Sequence, residues 1–176
     1  MTQRFAKILF PTDLTEHSRY CFDYAISLAA RYRAGIVILH VIEGDVPEHT
    51  RNMLSVFLGS EKMREFEKQQ NEHAQDARSI LIGKKHEAEV VRDALCMLCN
   101  DANGTLGQEP PDNRILVKHG DIAHKILSVS KSENCDLIVM GHGKYNKLTE
   151  AVVGSTTKSI LKKSAIPVLV IPMPSP

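Results

Sequence analysis

Short unbroken apolar runs alternate along this chain with longer stretches whose apolar positions recur every three or four residues, the two periods of a buried strand and an amphipathic helix. Ile8, Leu9 and Phe10, led by Lys7, form the first run, and Pro11 followed by Asp13 halts it at a turn. From Thr15 onward Cys21, Tyr24, Ala25, Leu28, Ala29 and Tyr32 make a helical stripe that closes at Gly35, a suitable C-terminal cap. Ile36 to Val41 is a continuous, largely β-branched run, as expected of a parallel strand covered on both faces. Strand, helix, strand in that order implies a right-handed crossover.

Residues 43–60, with Pro47 and Gly59, read as irregular. Met63, Phe66, His73, Ala74, Ala77, Ile80 and Leu81 then repeat among many charges, which predicts a long amphipathic helix whose Met63 and Phe66 face the core or a partner helix, and which Gly83 bends or ends. A second helix is expected over Glu87 to Cys99, and a loop over about 100–113, where Gly104, Gly107, Pro110 and Pro111 gather. Ile115-Leu116-Val117 reads as the third strand. Asp121 caps a helix carrying Ile122, Ile126, Leu127 and Val129, and Asp136 to Met140 holds the fourth strand. A last helix starts near Gly154 or Ser155, and Val168 to Ile171 is the fifth strand.

Five strands alternating with helices predict an α/β, Rossmann-like fold: a doubly wound, open parallel sheet with helices on both faces. In the order 3-2-1-4-5, the first and fourth strands flank the crevice where such sheets bind ligands. No internal repeat or domain boundary is evident, so residues 1–176 read as one domain with a longer, divergent region at about 84–113.

Composition narrows the function. With 22 Lys and Arg against 21 Asp and Glu, a net charge of +1 offers no broad basic face to nucleic acid or an anionic membrane, and neither is expected as a partner. No apolar run reaches the length of a membrane span, and the N-terminus lacks a signal-peptide core; a cytoplasmic protein is expected. The four cysteines, Cys21, Cys96, Cys99 and Cys135, need no disulfide framework. Cys96 and Cys99 stand three apart on a helix without a second pair at zinc-finger spacing, so packing is the expectation there. Among eight histidines, His17, His49, His73, His86 and His124 read as surface residues, whereas His142, and His40 or His119 at strand ends, lie near the predicted crevice.

Two glycine-rich neighbourhoods carry candidate chemistry. Gly141-His142-Gly143-Lys144 follows the fourth strand, and Gly154-Ser155-Thr156-Thr157 opens the last helix. Glycines let backbone approach a phosphate, free amides at a helix start favour an anion, and the three hydroxyls add donors. A bare structural turn accounts for the same residues equally well. Asp13 is open to two readings, a ligand acceptor or a cap for the first helix.

Taken together, the stretches Ile8 to Glu16, Leu39 to Ile42, Asp136 to Lys144, Val153 to Thr156 and Ser164 to Ile171 resemble the universal stress protein family. The resemblance implies an adenine-nucleotide site in which Asp13 meets the adenosine end, Val41 contacts adenine, Pro11 and Thr12 shape the adenine wall, and Gly141, Gly154 and Ser155 hold the phosphates. Met140, His142, Gly143, Lys144 and Thr156 complete the expected site. The ligand would be ATP, or AMP or ADP, with magnesium or manganese carried through the phosphates; no protein-bound metal is expected. The spacing departs from the binding members' pattern: the second glycine is displaced by one place, leaving His142 or Lys144 near its usual position. Lys144 either supplies charge to a phosphate or obstructs the loop.

The function so implied is an ATP-binding regulatory module of the stress response, a homodimer joined along Val168 to Ile171, with a protein partner the sequence does not identify. The alternative is a dimeric interaction protein of the same fold that binds no nucleotide. No paired carboxylates or nucleophile with a base stand in the expected site, so no enzyme is predicted beyond slow ATP hydrolysis.

Overall fold

The computed structural model describes residues 5–43, 48–73, 83–106, 113–142 and 153–172. Within them the chain runs β1 (Lys7–Thr12), α1 (Glu16–Tyr32), β2 (Gly35–Ile42), α2 (Glu48–Leu58), α3 (Ser60–His73), α4 (Gly83–Leu106), β3 (Asn113–His119), α5 (Ile122–Ser132), β4 (Leu137–Gly141), α6 (Ser155–Lys163) and β5 (Val168–Ile171). The five strands form one sheet in the order β3-β2-β1-β4-β5, every neighbouring pair parallel. That is the predicted doubly wound order, and it places the ends of β1 and β4 side by side.

The strand period sorts the core into two layers. Ile8, Phe10, Ile36, Ile38, Leu137 and Val139 face α1, α2, α3 and α4, whereas Leu9, Val37, Leu39, Val41, Ile138 and Met140 face α5 and α6. All eight residues of β2 are buried, which explains why that strand reads as an unbroken apolar run. Phe10 and Phe22 meet at 5.6 Å between ring centroids, joining β1 to α1. Each large side chain buried here contributes about 1.5–3 kcal/mol relative to exposure. Met63, Phe66 and Cys99 belong to this core; Cys96 is exposed.

Several boundaries differ from the sequence reading. Residues 48–58 are helical, because Leu54, Phe57 and Leu58 recur at helical spacing and are buried; only Gly59, at φ +83°, interrupts the path into α3. Gly83 starts α4, and α4 continues to Leu106 through polar residues that read as loop. Once nucleated, a helix propagates at little cost per residue, so Asn100, Asp101 and Asn103 do not stop it. The continuation expected for α3 through Ala74 to Leu81, and the loop glycine and prolines at 107–111, lie outside the described residues.

On α1 the buried stripe is rotated: Phe22 and Ile26 are inside, and Tyr24 is 43% exposed, its hydroxyl 2.8 Å from that of Tyr20. The helix is closed by Arg33 in the left-handed conformation (φ 53°, ψ 41°), whose amide reaches back to Ala29 and Ala30. Gly35 is already in β2, paired with Lys7, its amide donating to the Ala6 carbonyl.

Candidate functional site

The C-terminal end of β1 is held from three sides. The Thr12 hydroxyl, buried, shares a 2.6 Å hydrogen bond with the buried Ser18 hydroxyl and accepts from the Leu14 amide at 3.1 Å. The Thr12 carbonyl oxygen lies 2.9 Å from Nδ1 of His40, its neighbour on β2; a carbonyl only accepts, so Nδ1 carries the proton. Leu14, at φ 58° with its side chain buried, turns the chain out of the sheet in a conformation that costs a non-glycine residue about 1–2 kcal/mol. The Thr12 bond and Leu14 burial hold it there.

This turn leaves Asp13 exposed on the rim. Its Oδ1 accepts from the Thr15 amide at 3.1 Å and the Thr15 hydroxyl at 2.6 Å. The cap of α1 is Thr15, whose Oγ1 accepts from the Ser18 amide at 3.1 Å. Asp13 is therefore not the helix cap but its brace. Among the described residues Oδ2 takes part in no hydrogen bond, so this exposed carboxylate, held through Oδ1, keeps an acceptor in reserve. Pro11, half-buried, precedes this turn; Val41, buried near the end of β2, and Met140, buried on β4, belong to the layer beneath α5 and α6.

The second wall joins β4 to α6. The His142 amide donates to the Ile171 carbonyl at 2.9 Å, and the Gly154 amide donates to the His142 carbonyl at 3.1 Å. The buried Thr157 hydroxyl donates to the Gly141 carbonyl at 3.3 Å, so it is committed to the scaffold. Gly154 caps α6 without any side chain to satisfy the opening amides; Ser155 is exposed and Thr156 half-buried beside them. Lys162 and Lys163 occupy the last turn, complementing a helix whose start favours negative charge. Gly143 and Lys144 lie outside the described residues, and with them the displaced glycine. His119 ends the outer strand β3, away from β1 and β4.

Gly141 has a role the sequence did not suggest. A β-carbon there would point at α1, 2.9 Å from Cε1 and 3.1 Å from Nδ1 of His17 and 3.3 Å from Sγ of Cys21. The missing side chain makes room for helix packing. His17, expected on the surface, is half-buried with Nε2 shielded from solvent and without a hydrogen-bond partner among the described residues. Its place one turn before the buried Cys21 was the available signal. Burial, with the Asp13 charge adding to it, pushes the Cys21 thiol up to about 12, so it stays protonated at neutral pH and is no nucleophile. Among the described residues no group of three His, Cys, Asp or Glu side chains is placed to hold a metal, and no helix is long and apolar enough to cross a membrane.

The arrangement thus pairs an exposed hydrogen-bond acceptor just after β1 with an uncapped helix start tied to β4. The universal stress protein family model matches residues 4–172. Universal stress protein MJ0577 of Methanocaldococcus jannaschii is 29% identical over 178 residues, covering 97% of each chain. The solved structure of UspA from Lactobacillus plantarum superposes with a TM-score of 0.64 at 22% identity, covering 97% of this chain and 99% of that one. A universal stress protein solved in complex with cAMP gives a TM-score of 0.59 at 15% identity, over 98% of this chain and 100% of that one. With a matching family model along nearly its whole length, and the strand order that such folds share, this chain belongs to the universal stress protein family.

Proposed function

We propose that this protein is a regulatory module of the stress response that binds an adenine nucleotide, with ATP as the favoured ligand, across the ends of β1 and β4. The observation that carries the reading is the pairing of Asp13, exposed and with Oδ2 uncommitted among the described residues, with the uncapped start of α6 fastened beside Gly141 and His142. A ribose hydroxyl donates to Oδ2. Phosphate oxygens accept from the amides that open α6, with the Ser155 and Thr156 hydroxyls beside them. Pro11 and the apolar ends of β2 and β4 at Val41 and Met140 border the base. A magnesium or manganese ion would arrive with the phosphates. The relative solved with cAMP supports an adenine nucleotide as the ligand class.

The module acts by binding, with ATP hydrolysis slow at most, because no described side chain at these strand ends pairs a nucleophile with a base. Its assembly is a homodimer through β5, the sheet edge that carries Leu169. The nucleotide-free alternative keeps this dimer and gives up the ligand. Isothermal titration of the ligand-stripped protein with ATP and magnesium decides between them: saturable binding weakened at least tenfold by Asp13→Asn supports the nucleotide reading, and no heat of binding defeats it.

A further inference from the structure

We infer that His17 is a phosphate-contacting residue of the nucleotide site, an inference that rests on the reading above. His17 stands in the first turn of α1, four residues after Asp13, and its ring lies against the backbone of Gly141 where β4 ends. It therefore sits between the first turn of α1 and the end of β4. Its Nε2 is shielded from solvent and has no partner among the described residues, at a cost of about 1–3 kcal/mol for a polar group left unmet. Native structures rarely tolerate such a group without a use for it.

The one other side-chain atom in this condition, among the described residues, is Nη1 of Arg19. That guanidinium has compensation, with Cζ 5.7 Å from the centre of the Phe22 ring. The His17 ring has the small surface of Gly141 and the thiol of Cys21 beside it, and Cys21 remains a neutral thiol. Part of the His17 residue is still solvent-exposed, and the proposed contact has the imidazole rotate so that Nε2 reaches the rim. An anion seated at the start of α6, which is tied to the end of β4 through Thr157 and Gly154, accepts from that nitrogen and removes the penalty carried by the free protein.

The test compares wild type with His17→Leu and His17→Gln, using ATP with magnesium and, as the phosphate-free arm, adenosine. Leucine fills the space without a donor; glutamine places an amide N–H about as far from the backbone as Nε2. His17→Leu is expected to bind ATP about tenfold more weakly, the loss of one hydrogen bond to a charged group, and adenosine as wild type does. His17→Gln is expected to retain most ATP affinity. Without ligand, His17→Leu should melt at or above the wild-type temperature, because it deletes an unmet polar atom. Unchanged ATP affinity in His17→Leu overturns the inference, as does equal weakening of ATP and adenosine, or a fall in unliganded melting temperature that parallels the affinity. Wild type that binds no ATP defeats the nucleotide reading itself, whereas wild type that binds ATP with an indifferent His17 defeats this inference alone.

Discussion

A β-carbon on Gly141 would stand 2.9 Å from Cε1 of His17, closer than two such atoms approach in folded proteins. The end of β4 and the first turn of α1 are thereby matched as a hole and a knob. Gly141→Ala is expected to cost about 1–3 kcal/mol by overpacking, measured by urea unfolding. In a His17→Ala background the same change should cost less than half as much, since the ring that must move is gone and only Cys21 remains tight. An equal penalty in both backgrounds would mean that Gly141 is required for another reason.

A second tie joins the starts of β1 and β4. The Asp136 carboxylate, just before β4, accepts from the Ala6 amide at 2.7 Å and the Lys7 amide at 3.2 Å, across some 130 positions of sequence. Hydrogen bonds to a charged acceptor are worth more than neutral ones, and Asp136→Asn keeps the shape while removing the charge. A loss of about 1–2 kcal/mol is expected at pH 7, with faster hydrogen exchange at the amides of Ala6 and Lys7. Exchange at those two amides identical to wild type would show that the carboxylate does not hold them.

The sheet was legible because each strand is an apolar run whose boundaries are set by local breakers, and β2 is buried on both faces along its whole length. Helix identity was harder. The α2 stripe of Leu54, Phe57 and Leu58 was masked by Pro47 and Gly59, and α4 ran on through polar residues that signal a loop only when nothing upstream has nucleated a helix. Thr12, Asp13 and Gly141 were placed by motif at the ends of β1 and β4, and Gly154 at the start of α6, where they stand. What single-residue reading missed are relations between distant residues. His17 gains its setting from Gly141, which is 124 positions away in sequence and next to it in space, and Asp13 gains its orientation from Thr15 rather than from the helix it precedes.

The buried thiols make stability fall in alkali. Burial raises the Cys21 and Cys99 thiols to about 12 and Cys135 to about 11, from an ordinary value near 9. For an acid whose native pKa is raised, nothing is lost until the unfolded thiol begins to ionise, and from there ionisation favours the unfolded state. Stability is therefore intact below about pH 8.5 and is drawn down as pH climbs from there toward the native values. Replacing Cys21 and Cys99 by alanine should flatten the decline in unfolding free energy between pH 8.5 and 11, whatever it does to stability at pH 7. The same burial predicts that iodoacetamide at pH 8 labels Cys96, which is exposed, well before the other three; mass analysis showing Cys21 or Cys99 labelled at a comparable rate would contradict it.

The outer edge of β5 bears on assembly. Its inner side pairs with β4, and among the described residues no strand pairs with the other. By register Leu169 lies opposite Val139 and so faces the α1 side of the sheet, where it is 37% exposed; Leu161 of α6, on the opposite side, is 50% exposed. An open strand edge with apolar side chains on both flanks is an association surface unless something blunts it, and no charged side chain stands within Val168 to Ile171. Sedimentation at tens of micromolar is expected to give a dimer. Leu169→Lys should shift it to monomer with the circular dichroism of the fold unchanged, because the added charge meets its own copy across a two-fold axis while leaving β5 paired to β4. A wild-type monomer at that concentration would remove β5 as an interface, and a Leu169→Lys dimer as tight as wild type would move the interface elsewhere on the molecule.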